Sequence, residues 1–366
     1  MDVVRHNWTK DEILNIYNKP FMELLYEAAT VHRKFHDPNT VQVSTLLSIK
    51  TGGCPEDCGY CPQAARYHTD IEGNDLMTVQ QVKAQSLRAK ASGSSRVCMG
   101  AAWRNVKDGE EFDQVLEMVR TINKLDMEVC CTLGMLTENQ ARRLAEAGLY
   151  AYNHNLDTSE DYYKDVISTR AFDDRLKTIE NVRKSNVTVC SGGIIGMGEK
   201  LEDRAGMLVA LSTLNPQPES VPINALVAVE GTPLQDIEPI PIWDMIRMVA
   251  TTRIVMPKTQ VRLSAGRTEM TREGQAMCFF AGANSIFAGD KLLTTPNPDV
   301  NEDLEMFDQL GLTPQKPFVK APQPSTVEAN ESLLQPIGEK PKWSRPEHKI
   351  ERNEHARAKS GREKLS

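Results

Sequence analysis

Three cysteines close together in the sequence have the residue type and spacing to bind a metal cluster. Cys54, Cys58 and Cys61 follow the pattern C-x₃-C-x₂-C, and Tyr60 precedes the third thiol. Glycine and proline fill the intervals, which predicts a loop rather than a helix or a strand. Thiolates are the preferred ligands of iron–sulfur clusters. Three thiols leave one iron of a four-iron cube without a protein ligand, and an open position is typical of a catalytic metal site.

Two other interpretations of these thiols stay open on spacing alone. A zinc site would need a fourth ligand, for which His68 is the only near candidate. The thiols could also be inert. A disulfide is disfavoured because the clustered cysteines are odd in number and the chain shows no secretory signal.

Composition indicates an ordinary soluble globular protein. Of 366 residues, 40% are hydrophobic and 25% are charged. The net charge of -7 gives no electrostatic case for binding nucleic acid or an anionic membrane. No apolar run approaches the roughly 18 to 20 residues of a membrane span. Eight cysteines without a secretory leader predict a reducing, cytoplasmic location.

Strand and helix patterns alternate along most of the chain. Strands are predicted at 41–49, 96–100, 127–133, 150–156, 187–195, 220–227, 261–265 and 284–288. Helices are predicted at 20–35, 79–91, 112–125, 138–147, 171–185 and 242–255. Eight strand–helix units predict an α/β fold of the (β/α)₈ TIM-barrel type, whose catalytic residues gather at the carboxyl ends of the strands. A doubly wound open sheet is the alternative.

The chain divides into three predicted parts. Residues 1–40 form an N-terminal helical segment and residues 41–318 form the barrel. Residues 319–366 are rich in proline and interspersed charges and poor in apolar residues, which predicts a disordered tail.

A second set of thiols falls on the predicted strands. Cys98 lies on the second strand, Cys130 and Cys131 on the third, and Cys190 on the fifth. Side chains alternate across a strand, so only one of the adjacent pair can point into a barrel. Cys131 shares a face with the apolar Val129, which predicts that Cys131 points outward to the helices and Cys130 inward.

Arg262 occupies a similar inward position on the seventh strand, since the apolar Val261 and Leu263 beside it are expected to face outward. A buried arginine is costly unless its charge is compensated. Three inward cysteines and this arginine could converge on one buried point. For each cysteine alone an ordinary core role is the simpler interpretation, and Cys278, on a helical stretch, is predicted to be a core residue.

Polar residues cluster at two predicted strand ends. Asn153, Asn155 and Asp157 alternate onto one face, and Asn224 lies on the sixth strand. Such side chains suit a ligand with hydroxyl and amide groups, although ordinary strand-end capping would also explain each one. The glycine-rich stretch 190–199 lacks the nucleotide-phosphate patterns. Its glycines predict close approach of the backbone to a ligand.

The three-cysteine loop resembles that of radical S-adenosylmethionine enzymes, and longer strings resemble the biotin synthase family within that superfamily. These strings are SIKTGGCPEDC (48–58), CMGAAW (98–103), YNHNLDT (152–158), VCSGG (189–193), VPIN (221–224) and VRLSAGR (261–267). The likeness spans about residues 17–312.

The resemblance implies two clusters and a reaction. A 4Fe–4S cluster would bind the amino and carboxylate groups of S-adenosylmethionine, whose cleavage would give a 5′-deoxyadenosyl radical. A 2Fe–2S cluster deeper in the barrel would supply sulfur for insertion into dethiobiotin, to give biotin. The implied ligands are Cys54, Cys58 and Cys61 for the first cluster, and Cys98, Cys130, Cys190 and Arg262 for the second.

It also implies binding residues and partners. Tyr60, Asn155 and Asp157 match positions at S-adenosylmethionine, and Asn153 and Asn224 match positions near dethiobiotin. A homodimer and an electron donor such as flavodoxin or ferredoxin are implied. Two other functions compete: another radical enzyme of this fold, which need not carry the strand cysteines and the arginine, and a non-catalytic iron–sulfur or zinc scaffold.

Overall fold

Ten strands account for the β-structure that a computed structural model describes over residues 4–289 and 291–317. They are β1 Thr40–Lys50, β2 Arg96–Ala101, β3 Glu128–Thr132, β4 Ala151–Asn153, β5 Thr188–Cys190, β6 Gly193–Ile195, β7 Ser220–Ala225, β8 Gln260–Leu263, β9 Ser285–Ala288 and β10 Thr313–Pro314.

The strands close into a parallel barrel. Hydrogen bonding follows the order β1-β2-β3-β4-β5-β7-β8-β9, and β9 pairs with β1 to complete the ring. The short β6 pairs with β7, and β10 pairs with β1 outside the ring. The predicted (β/α)₈ fold is therefore confirmed, and the open-sheet alternative is wrong.

Helices follow most of the strands. They are α1 Lys10–Tyr17, α2 Phe21–Phe35, α3 Val79–Ala91, α4 Glu110–Asn123, α5 Glu138–Glu146, α6 Glu160–Val166, α7 Phe172–Lys184, α8 Leu201–Thr213, α9 Ile242–Val255, α10 Arg272–Phe280 and α11 Val300–Leu310. The N-terminal segment contributes two helices, of which α1 packs against α8 and α2 against α9. Among the described residues, no helix has the length and apolar content needed to cross a bilayer. The predicted disordered tail at 319–366 lies outside the described residues.

Strand alternation separates two apolar clusters. Val129 and Cys131 of β3 belong to the larger cluster, which packs the barrel against the helices and includes Cys278. Cys98 and Cys130 belong to a smaller interior cluster. Cys130 therefore faces inward and Cys131 outward, as the flanking residues predict.

Two predicted strands are shorter than expected. The strand predicted at 150–156 ends at Asn153, and the chain reaches a left-handed residue, Asp157 with φ of 68°, four residues later. The strand predicted at 187–195 splits into β5 and β6. Asn153, Asn155 and Asp157 nevertheless all line one cavity, although only Asn153 belongs to β4.

The glycines after β5 lie close to other residues of the barrel rather than to a ligand. A Cβ atom on Gly192 would lie 2.0 Å from the carbonyl oxygen of Pro222, and one on Gly193 would lie 2.1 Å from the sulfur of Met207. These glycines let neighbouring strands and α8 pack closely at the break between β5 and β6. The predicted role in ligand approach is therefore replaced by a packing role.

Replacing Gly192 by Ala should destabilise the barrel, because the added methyl group would collide with the backbone of β7. We expect a loss of about 1–3 kcal/mol in the free energy of unfolding, measured by chemical denaturation. Gly73→Ala is the control, since its Cβ would meet only the Thr51 oxygen at 3.6 Å. Equal stability of the two variants would contradict this packing.

Candidate active site

A cavity of about 310 Å³ lies at the carboxyl-terminal ends of the barrel strands. Its wall combines the loop after β1, the ends of β2, β3, β4, β7 and β8, and residues after β9. This is the end of a (β/α)₈ barrel where catalytic groups gather, because the strand-to-helix loops converge there.

Backbone hydrogen bonds shape the three-cysteine loop. The Cys54 amide donates to the carbonyl of Gln63 at 3.0 Å, and the Ala65 amide donates to the carbonyl of Cys54 at 2.7 Å. The Cys61 amide donates to the carbonyl of Cys58 at 2.9 Å. The loop thus folds back on itself, and all three of its thiols line the cavity.

Asp57 anchors the loop to the segment after α6. One carboxylate oxygen accepts from the backbone amides of Ser168 at 2.9 Å and Thr169 at 3.1 Å. The hydroxyl groups of Ser168 and Thr169 also donate to this carboxylate. Partial burial opposes ionisation, but the hydroxyl and amide hydrogen bonds together outweigh it and lower the pKa of Asp57 to about 2. The carboxylate is therefore charged and bound at neutral pH.

The three thiols resist ionisation unless a metal takes them. Burial raises the pKa of Cys58 to about 11 and that of Cys61 to about 12, and it also raises the pKa of Cys54. Metal binding would displace the protons and relieve the repulsion among thiolates. No three of the described His, Cys, Asp or Glu side chains converge on a single-ion site. His68 is exposed and off the cavity wall, so the zinc alternative lacks its fourth ligand.

Several buried polar atoms on the cavity wall have no hydrogen-bond partner. They are Glu56 Oε1, Arg170 Nε, Asn153 Oδ1 and His154 Nε2. Glu56 Oε1 is compensated by ion pairs, with Arg104 Nε at 3.5 Å and Arg170 Nη1 at 3.9 Å. Buried polar groups are normally satisfied, so the other three atoms indicate a polar ligand in the cavity. Arg170 also lies beside the three-cysteine loop, with Nη2 3.9 Å from the sulfur of Cys58.

Tyr60 and Asp157 meet on one side of the cavity. The Tyr60 hydroxyl donates to Asp157 Oδ2 at 2.7 Å, and the same oxygen forms a buried ion pair with Arg175. Arg175 also donates to the Tyr163 hydroxyl at 2.7 Å and to the carbonyl of Asn155. Arg175 therefore fixes the turn that carries Asp157.

The three predicted asparagines also line the cavity. Asn153 Nδ2 donates to the Thr132 hydroxyl at 3.1 Å. Asn155 Oδ1 accepts from the Gly192 amide at 3.1 Å, and Asn224 Nδ2 donates to the Gly193 carbonyl at 2.9 Å. Of these amides, Asn153 keeps a buried oxygen without a protein partner.

The strand cysteines form a deeper layer. Cys98 and Cys130 are paired neighbours in the register of β2 and β3, and their thiols hydrogen bond to one another. Arg262 on β8 donates from Nη1 to the sulfur of Cys190 on β5 at 3.6 Å. Cys98, Cys130 and Arg262 line the floor of the cavity, and Cys190 is buried next to Arg262.

Arg262 is buried without a carboxylate. Nε donates to Ser285 at 2.8 Å, Nη2 donates to Gln42 at 2.9 Å, and the guanidinium lies 4.6 Å from the ring centroid of Phe287. In the described part of the chain, none of the ion pairs involves Arg262. An anionic group in this layer, such as a thiolate-ligated cluster, would supply the missing negative charge.

The electrostatics of this layer depend on a hydrogen bond between two thiols and on Arg262. A hydrogen bond from Cys130 lowers the pKa of Cys98, burial opposes that shift, and Arg262 adds to it. Burial raises the pKa of Cys190. The positive charge of Arg262 acts to lower the pKa of both Cys98 and Cys190, and so favours thiolate in this layer.

Sequence patterns do not single out Glu56, Arg170, Arg175 or Thr132, all of which line the cavity. Arg175 lies inside α7, and the helical periodicity there indicates only a surface helix. Its role depends on a turn that is adjacent in space but distant in sequence. An arginine buried on a helix leaves no local signal.

Family profiles divide the barrel between two descriptions. Residues 48–211 match the Radical SAM superfamily, and residues 222–313 match the Biotin and Thiamin Synthesis associated domain. The boundary falls between α8 and β7, so both descriptions contribute strands to one barrel.

Full-length relatives decide the family. The biotin synthase of Flavobacterium johnsoniae is 84% identical, covering 97% of this chain and 98% of the relative. This chain belongs to the biotin synthase family. The likeness extends to Nostoc sp., whose biotin synthase is 58% identical over 88% of this chain and 97% of its own.

Solved structures support the fold of this biotin synthase family member. The crystal structure of methylornithine synthase has a TM-score of 0.71 at 18% identity, covering 84% of this chain and 94% of its own. An FeFe-hydrogenase maturase from Carboxydothermus hydrogenoformans has a TM-score of 0.70 at 16% identity, covering 84% and 76%.

Asp57→Ala should lower the free energy of unfolding by an amount that depends on pH. The folded-state pKa of Asp57 is lowered to about 2, so its stabilisation is complete above the unfolded value of about 3.9 and is lost as the pH falls toward 2. The difference in free energy of unfolding between wild type and variant should stay constant from pH 7 to about pH 4 and shrink below that.

Denaturant titrations at several pH values measure this difference, with Asp161→Ala as a control because its side chain is 73% exposed and pairs only with Lys10 among the described residues. A difference that grows on acidification would contradict the anchoring role of Asp57.

Proposed function

We propose that this protein inserts sulfur into dethiobiotin to form biotin, as a radical S-adenosylmethionine sulfurtransferase with two iron–sulfur clusters. Its family membership supports the reaction, and membership of the superfamily implies a 4Fe–4S cluster and S-adenosylmethionine. The assignment of each cluster and ligand to residues of this chain is our inference from the cavity.

One observation carries the proposal: two separate thiol sets meet the same cavity. Cys54, Cys58 and Cys61 line one part of the cavity, and Cys98 and Cys130 line another part together with Arg262. Cys190 is buried beside Arg262. Polar side chains between them leave buried atoms unpartnered. A substrate held in this space would contact a radical source on one side and a sulfur source on the other.

The loop thiols Cys54, Cys58 and Cys61 would hold the 4Fe–4S cluster, and Cys98, Cys130, Cys190 and Arg262 would hold the 2Fe–2S cluster. When bound, the first cluster supplies the electron that cleaves S-adenosylmethionine to methionine and a 5′-deoxyadenosyl radical, and the second supplies sulfur. The residues of the chain orient these groups and keep water out of the barrel.

Tyr60, Asn155 and Asp157 would position S-adenosylmethionine. Asp157 is buried, fixed by Arg175 and held beside Tyr60, so it presents a carboxylate with a defined direction. Carboxylate and amide oxygens accept from ribose hydroxyls and amino groups. The left-handed turn at Asp157 brings this carboxylate back to the cavity wall beside the cluster loop.

Asn153 and Asn224 would position dethiobiotin. Asn153 donates to Thr132 and leaves its oxygen free to accept from the substrate. Asn224 bridges the Gly193 carbonyl and the Ala265 amide, so its side chain is held at the cavity wall. Two fixed amides suit a substrate with its own amide-like N–H and carbonyl groups.

Four further expectations belong to this proposal. The enzyme works as a homodimer, receives electrons from a donor such as flavodoxin or ferredoxin, and is cytoplasmic. Residues 41–318 form its catalytic barrel.

Cys58→Ala should abolish S-adenosylmethionine cleavage, because two remaining loop thiols cannot hold the cube. The measurement is 5′-deoxyadenosine formed by anaerobically reconstituted enzyme with S-adenosylmethionine and a reductant. If the variant still cleaved S-adenosylmethionine, the loop would not bind the catalytic cluster. If the wild-type protein bound iron but formed no 5′-deoxyadenosine, the scaffold function would be favoured. Biotin formed from dethiobiotin separates this enzyme from other radical enzymes of the fold.

Cys190→Ala should deplete the 2Fe–2S absorption and leave the 4Fe–4S signal. Cys131→Ala is the matched control, since that thiol is buried but faces the helices rather than the cavity. Visible and electron paramagnetic resonance spectra of both variants give the readout. An unchanged spectrum in Cys190→Ala, or equal loss in Cys131→Ala, would count against the ligand assignment.

A further inference from the structure

A buried ion triad lies one residue layer below the strand cysteines. Arg96 donates from Nε to Glu128 at 2.8 Å, and its two terminal nitrogens reach Glu219 at 2.9 and 3.3 Å. The Arg96 side chain is 0% exposed and that of Glu219 is 16% exposed. The guanidinium also lies 4.8 Å from the ring centroid of Tyr150.

The triad spans the full width of the barrel. Arg96 begins β2, and Glu219 immediately precedes β7. In the ring order, three strands separate β2 from β7 in either direction, so the two strands face each other across the barrel. Glu128 begins the neighbouring β3. We call Arg96, Glu128 and Glu219 the cross-barrel strut.

Both ends of the cross-barrel strut adjoin the proposed 2Fe–2S ligands. Arg96 and Glu128 are register partners, and two residues further along the same strands Cys98 and Cys130 are partners. Residues two apart on a strand share a face, so the thiols lie directly above the strut. At the far end, β7 lies between β5, which carries Cys190, and β8, which carries Arg262.

Burial of the three charged side chains of the strut costs hydration free energy. Apolar side chains of similar volume often serve stability as well or better, because ion pairs lose hydration on burial. Unlike apolar packing, the ion triad has a defined geometry, because the bidentate contact between Arg96 and Glu219 has a fixed length and orientation. The proposed ligands are divided between β2–β3 and the two strands that flank β7, so their separation depends on the distance from β2 to β7.

We propose that Arg96 and Glu219 are positioning residues that set the distance between the Cys98–Cys130 side and the Cys190–Arg262 side of the 2Fe–2S site. This inference rests on the proposed function, since it assumes that those four residues bind the cluster. The strut touches neither substrate nor the reacting atoms. It acts by holding two walls of the barrel at the separation that the cluster spans.

Glu219→Ala is the sharpest test, because it removes one end of the strut and leaves the neutral Arg96–Glu128 pair. The readout is release of iron from each cluster to a chelator in anaerobically purified holoenzyme, followed spectroscopically. We expect 2Fe–2S iron to leave about 10- to 100-fold faster than in wild type, with 4Fe–4S release unchanged. Glu219→Gln keeps one acceptor and should be intermediate.

Asp244→Ala is the matched control. Arg204 is also buried between two carboxylates, Glu199 and the more exposed Asp244. That triad lies on α8, on α9 and just before α8, and not on the strands that carry the cysteines. This variant should leave both release rates at the wild-type value. Equal acceleration in the two variants would mean that the strut acts only through general stability.

Hydrogen exchange separates failure of the inference from failure of the proposed function. Amides of β2 and β7 should exchange faster in Glu219→Ala, with or without clusters. Unchanged 2Fe–2S release in this variant would overturn the inference. A wild type that never holds a 2Fe–2S cluster would overturn the proposed function, and unchanged exchange in β2 and β7 would then overturn the strut as well.

Discussion

The parallel register of a closed barrel is the constraint on which the rest of the structure depends. Because successive side chains point to opposite faces, a shift of one residue in β3 would exchange Cys130 for Cys131 inside the barrel. The same register puts Cys98 level with Cys130, and it brings Arg262 on β8 to Cys190 on β5, the two strands that flank β7. Closure matters equally, since an open sheet would not bring β8 and β5 to a common point with β2.

The chain combines two kinds of support for its thiols. Loop thiols depend on backbone hydrogen bonds and on the carboxylate of Asp57, which ties them to the segment after α6. Strand thiols depend on the barrel itself. A loop can leave one iron open to a ligand, while a strand layer would enclose the second cluster of the proposed function. The cavity between them holds the polar atoms without protein partners.

Much of this arrangement could be predicted from the sequence, because it follows from local periodicity. The strand alternation at Val129 and Cys131 indicates which thiol faces inward, and the helical patterns at 79–91 and 242–255 coincide with α3 and α9. What could not be predicted depends on contacts between distant segments. The left-handed Asp157 is stabilised by Arg175 of α7, and Gly192 is required by the carbonyl of Pro222. Neither partner is near in sequence, so a continuous strand was the natural expectation for both segments.

The proposed function requires one barrel to hold two different clusters, one at the loop thiols and one at the strand thiols. Iron and sulfide analysis of anaerobically purified protein, with electron paramagnetic resonance before and after adding S-adenosylmethionine, tests it most directly. The account predicts about six irons and six sulfides per chain, with only the 4Fe–4S signal changing when S-adenosylmethionine binds. A preparation competent for biotin formation that holds about four irons per chain, with no 2Fe–2S signal, would contradict it.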